Sequence, residues 1–127
     1  MEEPKLEASH SFICDSLRSA NLMRQAEWDP ESKLSLSYKG NEMAGEVGEA
    51  CNLVKKLDRE RMGLAGSRTT VERLAEELAD VVICADLVAI DAGIDLADAV
   101  IRKFNATSEK NDLLTRLASR AFGGPDQ

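Results

Sequence analysis

Residues 40–59 read GNEMAGEVGEACNLVKKLDR. Their apolar side chains recur at Met43, Val47, Ala50, Val54 and Leu57, with spacings of 4, 3, 4 and 3. That is the period of one face of an α-helix, and a strand, with its period of two, does not produce it. The segment predicts a helix from about Gly40–Asn41 to about Arg59. Two acids on it, Glu46 and Glu49, lie one turn apart. The pattern returns in residues 73–87, RLAEELADVVICADL, with the stripe Leu74, Leu78, Val81 and Ala85 and the acids Glu77 and Asp80. Aligning MAGEVGEA, from Met43, with LAEELADV, from Leu74, matches apolar position to apolar position, Glu46 to Glu77 and Glu49 to Asp80. At about 100° per residue both acid pairs fall on the same flank of their stripes, roughly 60° and 120° from the centre. They stand at the border, where a facing helix meets them.

The rest of the chain reads as helices around these two. A first helix runs from about Leu6 to Glu27 on Phe12, Ile13, Leu17, Ala20 and Met23, and Asp29–Pro30 ends it because the residue before proline avoids the α region. The segment EWDPESKLSLSYKG, up to Gly40, reads as a polar loop. The third helix opens at Thr69 or Thr70, good N-cap types, and ends near Gly93. Val81 to Ile90 is apolar almost all round, which predicts the central and most buried helix. A fourth helix starts after Asp95 and carries DLADAVIRKFNATSEK to Lys110. NDLLTRLASRA, from Asn111, adds a short helix, and FGGPDQ is a frayed tail. The expectation is all-α: a four- to five-helix bundle forming one domain over residues 1–127, with its core at about 6–110.

Composition agrees. Aromatic residues make up only 4% of the 127, so Leu, Val, Ala, Ile and Met must build the core, which favours close-packed helices. The net charge of −7 leaves no basic face for a duplex, so nucleic acid is not an expected partner. An acidic protein still binds a phosphate compound when metal ions bridge the two. Cys14, Cys51 and Cys84 are odd in number and not in ligand pairs, which suits buried free thiols in a reducing compartment better than a redox or catalytic thiol. MEEPKLEASH is acidic and unlike a signal peptide, and VVICADLVAI is too short to span a bilayer. The expected location is cytoplasmic, with no membrane partner.

Two readings of the four carboxylates stand side by side. Glu-x-x-Glu is common on solvated helix faces. Against that, the two pairs share one phase, and Gly45 and Gly48 flank Glu46 in mid-helix. An interior glycine costs up to about 1 kcal/mol relative to alanine, so two of them imply close approach by a neighbouring helix or a ligand. Four oxygen ligands of like charge suit hard cations such as Mg²⁺, which would hold a polyphosphate, with Mn²⁺ as the alternative ion. A di-iron bundle needs Glu-x-x-His pairs, and the only histidine, His10, is far from both motifs and reads as a surface residue.

With these residues in place, the chain resembles the MazG-like branch of the all-α nucleoside triphosphate pyrophosphatases. The resemblance rests on GNEMAGEVGEA followed by LAEELADVVICADL, an E-x-x-E, spacer, E-x-x-D signature. It extends to RQAEWDP upstream and VIRKFNATSEK downstream, about Asn21 to Lys110. It implies that Glu46, Glu49, Glu77 and Asp80 hold Mg²⁺ and serve catalysis. The implied reaction cleaves a (d)NTP between its α and β phosphates to a monophosphate and pyrophosphate, for nucleotide-pool sanitising or rebalancing. It also implies a homodimer or homotetramer with sites near subunit contacts. The family's phosphate-contacting Lys, Asn and Arg fall here on Lys103, Thr107 and Lys110. Thr107 lacks the amide, Lys110 lacks the guanidinium fork, and nearby Asn105 is the candidate to compensate.

Other residues keep two readings. Lys103 contacts a phosphate or snorkels at the surface. Trp28 stacks on a base or plugs the bundle end. Lys55 and Lys56 reach a phosphate or line a solvated helix face; Lys56 stands where some relatives place an aromatic for the base. Two alternatives to the enzyme are kept: a non-catalytic helical oligomer acting as a regulatory or interaction module, and a hydrolase of an alarmone nucleotide.

Overall fold

A computed structural model of the chain describes residues 13–119. The expected helical start at Leu6, His10 and the tail FGGPDQ lie outside the described residues. Within them are four helices and no strand: α1 (Ile13–Trp28), α2 (Leu36–Arg61), α3 (Val71–Asp91) and α4 (Leu96–Lys110). The all-α expectation holds at that level.

Each helix ends where local chemistry stops it. Asp29 closes the α1–α2 loop by accepting from the backbone N–H groups of Lys33 and Leu34, both at 2.9 Å. Those two bonds, Leu34's the stronger, hold the Asp29 carboxyl below its ordinary range. Ser35 then caps α2, its Oγ accepting from the Tyr38 N–H at 3.1 Å. The helix therefore starts at Leu36, earlier than the Gly40–Asn41 read from the apolar stripe, because a cap needs only one serine and no apolar neighbour. Gly63 takes φ 71° after α2 and Gly93 takes φ 69° after α3, left-handed positions that glycine fills without steric cost. Thr70 caps α3 through the Arg73 N–H at 3.2 Å, and Asp95 caps α4 through the Asp98 N–H at 3.1 Å.

The short helix expected from Asn111 is not there. Asp112 turns the chain at φ 55° and residues 113–119 run without helix. Asn105 holds that segment with both ends of its amide: Nδ2 donates to the Leu117 carbonyl at 2.9 Å and Oδ1 accepts from the Leu117 N–H at 2.7 Å. A side-chain amide that satisfies both backbone groups of a residue competes directly with the helical bonds that residue would otherwise make.

The antiparallel hairpin of α2 and α3 is the main packing unit, with α1 on α3 and a lighter α1–α4 contact. Among the described residues the buried apolar side chains are few and mostly small: Ala50, Leu53, Ala89, Ala97 and Ile101. The side chains turned into the seam differ from the expected stripes. On α2 the buried or half-buried residues along the seam include Lys39, Met43, Glu46, Ala50, Leu53 and Leu57, whereas Val47 and Val54 are 42% and 46% exposed. On α3 Leu74, Glu77, Val81 and Cys84 are half-buried, and Leu78 is 50% exposed. The seam is thus rotated toward the acids. Nor is α3 buried all round. Val71 and Leu78 are exposed in its first part; within 81–90 only Val82 is exposed, while Asp86 and Ala89 are buried and the rest half-buried, and it is there that α1 bonds to it. Cys51 is exposed and Cys84 half-buried, so the buried-thiol expectation fails for Cys51; the Cys14 side chain lies outside the described residues.

A polar knot ties α1 to α3. Asp86, 1% exposed, accepts from Arg18 Nε at 3.0 Å on one oxygen and from Asn21 Nδ2 at 3.0 Å on the other. Arg18 also donates to the Ile94 carbonyl at 2.8 Å. At the end of the seam Lys39 Nζ pairs with Asp91 at 2.6 Å. No described helix is long and apolar enough to cross a membrane.

Candidate metal centre

Glu46 on α2 and Glu77 and Asp80 on α3 each present a carboxylate oxygen, and the three lie within 4.8 Å of one another. Helix geometry brings them there. Glu46 sits on the α2 seam stripe three residues after Met43 and four before Ala50, and Glu77 takes the corresponding place between Leu74 and Val81. The antiparallel pairing then sets the two glutamates face to face. Glu49 joins from the open edge of the seam, close enough that its charge acts on both Glu46 and Glu77. All four acids singled out in the sequence therefore meet in one place.

The electrostatics of the cluster are unfavourable as it stands. One oxygen of Glu46 and one of Glu77, Oε2 in each case, is buried without a hydrogen-bond partner. A buried polar atom left unpaired normally has a ligand, water or ion to answer it. Loss of water around the carboxylate is the largest effect pushing Glu46 above its ordinary value, followed by the charges of Glu49 and Asp80. For Glu77 desolvation again comes first, then the neighbouring Glu49 and Glu46 carboxyls. An all-oxygen donor set with excess negative charge and two unanswered buried oxygens fits a hard divalent cation, and fits thiophilic metals poorly. Four acids with no cation between them are costly to bring together.

Cys84 stands one turn beyond Asp80, beside the cluster. Burial raises its thiol pKa first, and the charges of Glu46, Glu42 and Asp80 add to that. This thiol and Glu42 are neighbours that sequence reading did not attach to the site. The signal was available: Cys84 is seven residues after Glu77 and Glu42 is seven before Glu49, and seven residues return to nearly the same helix face.

The hairpin has two unlike sides. Measured from the seam at about 100° per residue, Glu49 and Asp80 fall on one side, and Val47, Val54, Leu78 and Val82 on the other. Gly45 and Gly48 do not serve close helix packing among the described residues, where a Cβ added at either would meet nothing within 4 Å.

The remaining candidates are placed less compactly. Lys56 is half-buried, two turns past Glu49 on the same side. Lys103 lines a groove with Gly93, Ile94, Asp95, Asp98 and Arg102 that contains none of the four acids. Asn105 is engaged with Leu117, and Lys110 is exposed in the last turn of α4. Trp28 is 73% exposed at the end of α1, with the Arg24 guanidinium 5.2 Å from its ring centroid, so it plugs nothing in the described chain.

Compared with protein-family models, with curated proteins and with solved structures, the chain matches none.

The raised carboxyls carry a consequence for stability. A glutamate whose folded value lies above its ordinary 4.5 binds its proton more tightly folded than unfolded. Below pH 4.5 both states are protonated and nothing is lost; as pH rises above that value, the folded state gives up stability until Glu46 and Glu77 are ionised. Without divalent cations the melting temperature is therefore expected to fall as pH rises from about 4.5 through the weakly acidic range. Millimolar Mg²⁺ is expected to raise it at pH 7 and flatten that slope. Thermal melts with chelator or Mg²⁺ across this range check it, and melts that coincide at pH 7 would rule out a shared cation site.

Proposed function

We propose that the chain is a Mg²⁺-dependent phosphohydrolase of the nucleoside triphosphate pyrophosphatase type, acting on a (d)NTP. The observation that supports this most is the meeting of Glu46 with Glu77 and Asp80 across antiparallel helices, with Glu49 acting on the same cluster and one buried, unanswered oxygen on each of Glu46 and Glu77. The resemblance of GNEMAGEVGEA and LAEELADVV to the MazG-like signature supplies the reaction type.

In this reading Glu46 and Glu77 hold the ion from within the seam, and Glu49 and Asp80 hold it from the open edge. Bound there, Mg²⁺ would neutralise phosphate charge, polarise a phosphoryl oxygen and lower the pKa of a coordinated water. The protein's part is placement. Helical backbone fixes all four carboxylates, and the Lys39–Asp91 pair fixes the seam's far end. The test is release of pyrophosphate by purified protein from a panel of canonical and modified triphosphates, with and without Mg²⁺. An alarmone nucleotide belongs in the panel. No release from any member sinks the enzyme reading. The alternative, a non-catalytic helical module, draws support from the positions of Lys103 and Asn105 away from the acids; cation binding without turnover would favour it.

The same reading includes a second copy of the chain, seated on the apolar side of the hairpin. Val47 and Val54 on α2 and Leu78 and Val82 on α3 are each at least 42% exposed there. A contiguous apolar face of this kind marks an interface. The apolar core within one chain is correspondingly small. Sedimentation is expected to show a dimer or tetramer for the wild type and a monomer for Leu78→Lys/Val82→Lys. A monomeric wild type would exclude the assembly.

A further inference from the structure

We infer that Arg73 and Lys56 form the phosphate-binding end of the acid groove, and that they take up substrate charge left over by the ions on the four carboxylates. This rests on the phosphohydrolase reading above. Arg73 belongs to no short motif, and Lys56 reads from sequence as either a phosphate contact or a solvated face.

Position carries the argument. Lys56 lies seven residues beyond Glu49, and Arg73 lies seven residues before Asp80. Seven residues make two turns, short by only about 20°, so each cation stands on nearly the direction of the outer acid of its own helix. Both are displaced toward the same end. The helices run antiparallel, Glu46 faces Glu77 and Asp80, and Lys39 meets Asp91. Continuing that register toward the α2–α3 turn brings Lys56 opposite the first turns of α3, where Arg73 stands. Each is roughly 10 Å along its helix from its acid, a span that a polyphosphate and a long side chain bridge together.

Pairing and position separate these two from the other cations carried on α2 and α3. Lys39 is committed to Asp91 at 2.6 Å, and Arg61 to Asp58 at 2.8 Å. Arg59 lies against Gly66, where its guanidinium and stem fill the space a side chain would need. Lys55 falls about 180° from the seam direction of Glu46, on the back of α2. Lys56 and Arg73 make no ion pair among the described residues, although acids lie within a turn of each. Their chemistry divides the task. The planar guanidinium of Arg73 matches a phosphate with two parallel donors, and the ammonium of Lys56, its stem half-buried along α2, offers a point charge. The substrate end that they select is anionic.

The experiment is calorimetric titration of inorganic pyrophosphate, with saturating Mg²⁺, into wild type, Arg73→Ala, Lys56→Ala, Arg73→Lys and, as control, Arg61→Ala. Wild type is expected to bind. Arg73→Ala and Lys56→Ala are each expected to weaken binding by about tenfold, the scale of one lost charge-assisted hydrogen bond. Arg73→Lys should recover part of the loss and Arg61→Ala none of it should show. The Mg²⁺-induced rise in melting temperature should persist in every variant. Pyrophosphate affinity in Arg73→Ala and Lys56→Ala within twofold of wild type, with the Mg²⁺ rise intact, overturns the cradle and leaves the metal centre standing. Absence of any Mg²⁺ effect on the wild type overturns the metal centre, and the cradle with it.

Discussion

Glu77→Gln is expected to reduce Mg²⁺-dependent pyrophosphate release by at least about 10²–10³-fold, the scale on which one preorganised group aimed at transition-state charge acts. Glutamine keeps the volume of the side chain and removes its charge. It leaves Glu46 facing an amide across the seam, so one of the three oxygens gathered within 4.8 Å becomes a neutral ligand or none. Asp80→Asn makes the same change at the open edge and should act in the same direction. Helical circular dichroism should be unchanged in both, since neither residue caps a helix or pairs with a cation among the described residues. Without metal, Glu77→Gln should melt at higher temperature than wild type and show a weaker pH dependence, because the desolvated charge and its repulsion by Glu49 and Glu46 are gone. That opposition, lower activity with higher stability of the metal-free form, separates a functional carboxylate from a structural one. Retained turnover in Glu77→Gln would remove Glu77 from the site.

Asp86→Ala is expected to cost about 3–5 kcal/mol, the usual penalty for breaking a buried charged pair by removing one partner. Asp86 is 1% exposed and answers two donors, Arg18 Nε and Asn21 Nδ2. Its loss leaves Asn21, itself 2% exposed, with only a 3.4 Å contact to the Ile83 carbonyl. Arg18 softens the effect. Its side chain is 28% exposed and its other nitrogen keeps the Ile94 carbonyl, so it can turn partly to water, which argues for the lower end of the range. For a chain of 127 residues such a loss lowers the melting temperature by roughly 10–15 °C. Denaturant and thermal unfolding measure it directly. A change below about 1 kcal/mol would mean that α1 is held by its apolar contacts, with the knot contributing orientation alone.

These outcomes bear on how much could be read in advance. The helical period of residues 40–59 and the repeated acid spacing are local facts, and the structure keeps both. Stripe assignment was less secure. Val47, Val54 and Leu78 have the composition of core residues but lie on an exposed side, while Glu46 and Glu77, one position earlier on each helix, face inward. Hydrophobicity ranks side chains by transfer cost and is silent about which of two adjoining directions a neighbour will occupy. The segment from Asn111 has adequate helical propensity, but Asn105, twelve residues before Leu117, captures the Leu117 backbone instead. Cys84 and Arg73 belong to no short motif, so local sequence does not mark them. Both become visible by stepping seven residues along a helix from an acid already in hand.

By itself, the amino-acid order determined what depends on neighbours within a few turns. It set four helices, their stops at Asp29–Pro30 and Gly93, and one acid pair on each of α2 and α3, since hydrogen bonding at i and i−4 and side-chain phase act over that range. Tertiary structure decided what depends on which surfaces meet. Pairing α2 with α3 in one antiparallel register turned two unremarkable acid pairs into a single cluster and left one oxygen of Glu46 and one of Glu77 buried and unanswered. It also put Val47, Val54, Leu78 and Val82 on the opposite side, because a helix with more apolar surface than one seam can cover must leave some of it exposed.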